Sequence, residues 1–371
     1  MDPRHRISDT SGVITPALIV FHEILEENID RMLRLAGGAQ RLRPHCKTHK
    51  MKEVVRLLLD RGVARHKAAT LAECEMLVEA GARDVLLSYP CVGPNIGRAV
   101  KFLQTFPGVA FSVIVDHPRP VAELGEAMAK AGRALPVLLD LDTGLHRTGI
   151  AVGPAARALY AKIARTPGLV PAGLHVYDGQ NHQVDPEQRR RAVLDVWEAV
   201  AGLRDGLVRE GYSVPRIVAG ATGSFPVFAA VGDPSVEVCP GTCIFHDRGY
   251  DALFCDLGFR FAALLLTRVI SCPGGDYVTL DLGYKAVASD APAEKRIAFP
   301  EIPDARVVLQ NEEHLVIRTS RAGDLGPGDA LLAIPWHACP TSALHRQAVV
   351  VRRGEVAERW EVAARDRWLT I

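Results

Sequence analysis

The chain lacks what would take it to a membrane, a nucleic acid or an oxidising compartment. Among its 371 residues, 44 Lys and Arg stand against 43 Asp and Glu, a net charge of +1, so no long-range field draws it to nucleic acid or to an anionic lipid surface. No apolar run approaches the ~20 residues of a bilayer span. The polar opening Met1–Thr10 has no apolar signal-peptide core, which makes the cytoplasm the expected location. The eight cysteines include no CxxC pair, which argues for buried reduced thiols over a disulfide framework. Cys46 and Cys339 stand apart because each lies within two residues of a histidine. The expected partners are small molecules.

What is present is a large apolar fraction, 48%, enough to bury one large core and a second smaller one. From about residue 41 to 245, short apolar runs alternate with longer amphipathic ones, as repeated βα units do. The strand candidates are Arg41–His45, Arg65–Thr70, Asp84–Tyr89, Phe111–Asp116, Leu135–Asp142, Val170–Tyr177, Arg216–Thr222 and Ser235–Thr242. Helix-like segments such as Met51–Arg61, Leu71–Ala80 and Pro186–Glu210 lie between them. Eight strands imply a closed (β/α)8 TIM-type barrel. After Arg260 the texture turns to strand-like runs at Phe261–Ser271, Tyr277–Leu282, Arg306–Thr319, Ala330–Ile334 and Ala348–Arg352, with turn clusters such as Pro273–Asp276, which read as an antiparallel β-domain. The expected division is a barrel over 21–255 and a C-terminal β-domain over 256–371, to which residues 12–20 add an edge strand.

Barrel enzymes keep their chemistry at the C-terminal ends of the strands, so the strand boundaries become a site prediction. They offer Lys47, Thr70, Tyr89, Asp116 with His117, Asp142 through Arg147, Tyr177 through His182, Thr222 through Ser224, and Gly241 with Thr242. Lys47 sits among His45, His49 and Lys50, where neighbouring bases favour an uncharged amine, the form that attacks an aldehyde. On that cluster alone a solvated basic loop is the simpler reading; the remaining strand ends reverse it. Thr222, Gly223 and Ser224 can approach an anion closely with backbone N–H groups and hydroxyls, and Gly241 and Thr242 supply the other half of a phosphate cup after strands seven and eight. Near the C-terminus His337 and Cys339 leave a strand two residues apart. In an extended segment they face one side and can share a metal ion with open coordination positions.

The runs PHCKTHK (Pro44–Lys50), DLDTGLHRTG (Asp140–Gly149), HVYDG (His175–Gly179) and HACPT (His337–Thr341) resemble the D-threonine aldolase and D-serine dehydratase group of the alanine-racemase-like, fold type III pyridoxal-phosphate enzymes. The resemblance runs from the first strand nearly to the C-terminus. It implies a barrel with a β-domain, a homodimer, pyridoxal 5'-phosphate and a divalent metal (zinc, manganese or magnesium). It further implies Lys47 as the Schiff-base lysine, Arg147 on the cofactor's phenolic oxygen and Tyr177 beside the cofactor. Thr222, Gly223, Ser224, Gly241 and Thr242 fall at the phosphate, and His337 with Cys339 at the metal. The substrate class is then a β-hydroxy D-amino acid. The His-x-Cys pair is similar to zinc-dependent D-serine dehydratases, whereas His182, shortly after Tyr177, is similar to the aldolases. As a base for the β-hydroxyl, His182 favours retro-aldol cleavage to glycine and an aldehyde over elimination to a keto acid and ammonia. The competing readings are a non-catalytic cofactor carrier and an amino-acid racemase, which needs two opposed bases and no metal.

Overall fold

The structure, a computed structural model, describes every residue except Met1 and Leu369. The chain separates into two units: Met32–Lys47, Val54–Gly241 and Arg367–Ile371 form one, and Met1–Arg31, Thr48–Glu53 and Thr242–Asp366 the other. Strand β1 (Ala17–Phe21) belongs to the latter. The former is built on β2 (Arg65–Ala68), β3 (Asp84–Leu87), β4 (Ala110–Val115), β5 (Leu135–Asp142), β6 (Ile150–Ala151), β7 (Leu169–Val176), β8 (Ile217–Ala219) and β9 (Val236–Val238).

Seven of these run parallel in the order β2-β3-β4-β5-β7-β8-β9, with β6 pairing only the end of β5. Leu42 bridges to Val238 and His45 to Lys67, both in parallel sense, so residues 42–45 fill the eighth position and the ring closes as the expected (β/α)8 barrel. The expected strand Arg41–His45 is reduced to these two bridges. Pro44 has no N–H for a ladder, and 3-10 turns at Ala39–Arg41 and Cys46–Thr48 flank it. Side chains help to hold the closure. Arg43, fully buried, donates through Nε to Glu237 Oε2 on β9 at 2.6 Å and through Nη1 to Asp84 Oδ1 on β3 at 2.7 Å.

Helices alternate with the strands because the intervening sequence carries their start signals. The helix Pro186–Arg209, for example, begins on Asp185, whose carboxylate accepts the N–H groups of Glu187 and Gln188, with proline in the first turn. Gly173 in β7 has φ +119, and a Cβ there would lie 1.9 Å from the Arg216 carbonyl oxygen, so only glycine lets the chain before β8 come this close.

The other unit adds β10 (Ala263–Gly274), β11 (Tyr277–Leu280), β12 (Ile297–Ala298), β13 (Arg306–Gln310), β14 (Leu315–Arg318), β15 (Ala330–Pro335), β16 (Gln347–Arg352) and β17 (Glu355–Glu361). They form a sheet of order β13-β14-β11-β10-β1-β16-β17, with β15 also on β10 and β12 on β15. Every pairing is antiparallel except β1 with β16. Two expectations are corrected here. The N-terminal strand is interior, flanked by β10 and β16, because all five of its residues, Ala-Leu-Ile-Val-Phe, are buried. The single strand expected over Arg306–Thr319 is a hairpin, broken where Asn311, Glu312 and Glu313 turn the chain. Among the described residues no helix is long and apolar enough to cross a membrane.

Candidate active site

In the barrel unit the strand ends converge on Tyr177, the residue after β7. Its ring has Arg147 Cζ 4.6 Å from its centroid, Lys47 Nζ at 5.8 Å and Lys67 Nζ at 5.9 Å. A Cβ at Gly179 would lie 2.5 Å from this ring, so the glycine of HVYDG lets the tyrosine fold back over its own turn. Arg147 is presented by the loop after β5. There Asp142 Oδ1 accepts the N–H groups of Gly144 and His146, each at 3.0 Å, and Gly149 N–H donates to Asp116 Oδ2 at 2.9 Å. Lys47, Arg147 and Tyr177 are therefore brought together. His182 is exposed on the loop that follows β7.

Lys67 was not among the expected site residues. It lies within β2, 2% exposed, and donates to Cys239 Sγ at 3.3 Å. Burial pushes the Lys67 amine below its usual range and the Cys239 thiol above its own. Beside them His175 Nδ1 meets Asp140 Oδ1 at 2.5 Å. Its Nε2 is a buried polar atom with no partner among the described residues. Burial, then the charge of Lys67, holds this imidazole below its usual range.

The proposed cup has a definite character. Thr222 and Gly223 are buried, and their backbone N–H groups have no acceptor among the described residues. Adjacent orphaned donors are rare in folded proteins; an anion seated there satisfies both. Thr222 Oγ1 accepts Gly241 N–H at 3.3 Å, which ties the two halves of the cup together. Ser224 behaves differently from the expectation. Its hydroxyl donates to Asp178 Oδ1 at 2.7 Å and accepts Ala221 N–H at 2.9 Å, while its own N–H reaches the Ala221 carbonyl. It anchors the cup from behind. Asp178, 1% exposed, also accepts from Asn181 at 2.9 Å, and burial raises its carboxyl above the usual range against these two donors.

In the other unit His337 ends the segment after β15 and caps the helix Ala338–Leu344. The pair His337–Cys339 thus lies on a helix start, which corrects the extended geometry expected of it. The two side chains nonetheless meet. Burial alone would lower the imidazole's pKa, but the hydrogen bond and charge of Cys339, together with Asp290, raise it to about 9. His337 Nδ1 lies 2.5 Å from Asp290 Oδ2. Cys339 Sγ lies 3.2 Å from Thr48 Oγ1 and 3.6 Å from Thr242 Oγ1, which engages Thr242 in this unit. An imidazole and a thiol in contact form a donor set that fits a zinc-type ion.

The family model "Alanine racemase, N-terminal domain" matches residues 22–248, and "Putative serine dehydratase domain" matches 262–351. The chain is 32% identical over 361 residues to a D-threonine aldolase of an Arthrobacter species, covering 95% of this chain and 93% of that one. It is 29% identical to a 3-hydroxy-D-aspartate aldolase of Paracoccus denitrificans, covering 97% and 94%. The crystal structure of D-threonine aldolase from Filomicrobium marinum superposes with a TM-score of 0.87 at 29% identity, covering 95% of each chain. With a lysine just past the first barrel position, a turn of unpaired N–H groups after the ring's seventh position, near it in the ring order, and these matches across nearly its whole length, the chain belongs to the alanine-racemase-like, fold type III family of pyridoxal-phosphate enzymes and is a lyase.

Proposed function

We propose that this lyase cleaves β-hydroxy D-amino acids by a D-threonine-aldolase-type retro-aldol reaction, giving glycine and an aldehyde, with pyridoxal phosphate and a divalent metal as cofactors. The observation that carries the reading is the convergence of Lys47 and Arg147 on Tyr177 in the same unit as the unpaired N–H groups of Thr222 and Gly223. When bound, the cofactor supplies an electron sink for charge developing at Cα, and the ion a Lewis acid for the β-oxygen.

The residues divide the remaining work. Lys47 Nζ takes the cofactor's aldehyde; it is half-buried and reachable, whereas Lys67 is sealed against Cys239. Arg147 keeps a permanent positive charge beside the ring of Tyr177, suited to the cofactor's phenolic oxygen. Thr222, Gly223, Gly241 and Thr242 receive the phosphate, with Ser224 holding the turn. His337 and Cys339 hold the metal. His182 accepts the β-hydroxyl proton. We place the functional boundary between barrel and β-domain at 255/256, with residues 12–20 joining the latter, and the working assembly as a homodimer.

Elimination to a keto acid and ammonia is the second reading, favoured by the serine-dehydratase match over 262–351 and the His-x-Cys pair. Product analysis with D-threonine and D-serine, following glycine, aldehyde, keto acid and ammonia together, separates the two. Glycine with aldehyde is expected; keto acid without glycine refutes the aldolase reading. Borohydride reduction of the loaded protein should fix the cofactor on Lys47, and a label on Lys50, Lys67 or Lys285 instead overturns that assignment.

A further inference from the structure

Next to Lys47 the barrel unit holds three metal-ligating side chains for which the proposed reaction has no use. His45 ends the first ring position, Cys46 follows it, and Glu73 lies in the first turn of the helix Leu71–Glu79. An imidazole nitrogen, a sulfur and a carboxylate oxygen from these residues all lie within 4.8 Å of one another, and the residues are 8%, 1% and 0% exposed. Cys46 Sγ donates to Glu73 Oε2 at 3.6 Å, and the same oxygen accepts Ala69 N–H at 2.6 Å. Thr70 caps the helix by accepting Glu73 N–H, which fixes the carboxylate's origin. His45 Nδ1 accepts Lys47 N–H at 3.3 Å, and its Nε2 lies 3.4 Å from Ser88 Oγ.

We propose that His45, Cys46 and Glu73 form a second metal site, for a thiophilic divalent cation of the zinc type, separate in sequence and in donor set from His337 and Cys339. Charge supports it first. A thiolate and a carboxylate sum to two negative charges, which a divalent ion cancels. The assembled site is then neutral, and burial carries no uncompensated charge. Binding breaks the Cys46 S–H bond and forms a metal–sulfur bond. The proton leaves to solvent, and imidazole and carboxylate contribute lone pairs without further change.

Geometry supports it next. Zinc bonds of ~2.0–2.3 Å place tetrahedral ligand atoms roughly 3.3–3.8 Å apart, so atoms that start within 4.8 Å of one another close by at most about 1.5 Å, within reach of side-chain rotation. Sulfur with imidazole selects against magnesium, calcium and manganese, which take oxygen ligands. The ion's effect is local: His45 and Cys46 precede Lys47 directly, and Glu73 belongs to the next βα unit, so the metal ties the turn that carries the amine to its neighbouring helix.

The test reads metal content and does not depend on turnover. Cys339→Ala removes one ligand of the other pair while leaving all three of these in place. After dialysis against chelator-buffered zinc, this variant is expected to keep about one zinc per chain, with X-ray absorption showing one sulfur ligand; cobalt in its place should give a thiolate charge-transfer band. Adding Cys46→Ser should remove the metal and the band, and Glu73→Gln in the same background should weaken retention of both. A folded Cys339→Ala protein with no tight zinc overturns the proposal. So does zinc whose coordination lacks sulfur, or zinc and a cobalt band that survive Cys46→Ser unchanged. Should Cys46→Ser fail to fold, the sulfur count in the Cys339→Ala protein still decides.

Discussion

Replacing Ser224 by alanine distinguishes a residue that grips the phosphate from one that holds up the turn beneath it. The hydroxyl makes two bonds at a buried position: it donates to Asp178 Oδ1 at 2.7 Å and accepts Ala221 N–H at 2.9 Å. Removing a bond to a carboxylate costs about 1.5–3 kcal/mol, and stranding a buried amide about 1 kcal/mol more. With Ser224 1% exposed, no water replaces the lost partners. Cofactor-free Ser224→Ala should therefore unfold in guanidinium with a free energy about 3 kcal/mol below wild type, roughly 150-fold in the equilibrium constant. The sign with pH follows from Asp178. Burial raises its carboxyl above the usual range in the native state, so folding disfavours its charged form, and losing the Ser224 donor raises it further. The deficit should be largest at neutral pH and shrink as pH falls into the carboxylate range, where Asp178 is protonated in both states. A double-mutant cycle with Asp178→Asn isolates the pair, with an expected coupling of ~1.5–3 kcal/mol. An unchanged apo stability with zero coupling, accompanied by weaker cofactor binding, would show that the hydroxyl serves the phosphate and that this account of the turn is mistaken.

Three further outcomes are expected. His66 is 1% exposed and held at about 4 by burial, which outweighs the Val63 carbonyl that accepts from it. Its neutral form contributes stability fully present above pH ~6.5 and lost progressively toward pH 4, by up to about 3 kcal/mol; a His66→Gln variant whose unfolding free energy follows the same pH curve as wild type contradicts this. His337→Ala or Cys339→Ala should abolish turnover and leave the cofactor's absorbance largely intact, and full activity in chelator-treated protein shown to be metal-free would remove the ion from the reaction. His182→Ala should lower acetaldehyde release from D-threonine by roughly 10²–10⁴-fold while cofactor binding survives, and near-normal cleavage would discard His182 as the base.

The barrel was legible wherever apolar runs were long and continuous. Leu-Pro-Val-Leu-Leu-Asp-Leu-Asp forms β5 over the expected residues because nearly all of it is buried between neighbouring strands. Where the ladder gives way to single bridges, as at Leu42 and His45, the eighth position was legible as a count but not as a strand. β17 escaped notice because six of its seven residues are exposed, with Trp360 alone buried, which leaves no periodic signal. Lys47, Arg147 and Tyr177 were legible because strand-end position and residue chemistry pointed the same way. Lys67 and Cys239 were not, since pairing between β2 and the end of β9 is a property of ring closure that neither local sequence contains. His45, Cys46 and Glu73 fall between these cases: a histidine beside a cysteine was visible, but the carboxylate comes from the helix after the next strand.

The charges around Tyr177 explain why this site calls for an anion. The Arg147 guanidinium lies over the ring beside the Lys47 amine, while burial pushes the Lys67 amine below its usual range. Nearby carboxylates are already engaged: Asp140 faces His175, Asp142 holds its own loop, and Asp178 binds Ser224 and Asn181. The N–H groups at Thr222 and Gly223 add partial positive charge with no acceptor among the described residues. A ligand with a phosphate at one end and an anionic oxygen near its aldehyde satisfies both excesses at once, one at the cup and one at Arg147. The same distribution leaves Lys47, with its reachable amine, as the group free to react, and Lys67 as the amine set aside by its bond to Cys239. Were Cys239 replaced by alanine, Lys67 would lose that acceptor while remaining buried, leaving burial alone to distinguish two amines at nearly equal distance from the same ring. Borohydride reduction and peptide mapping should then find part of the label on Lys67, and a label still confined to Lys47 would show that the thiol plays no part in the selection.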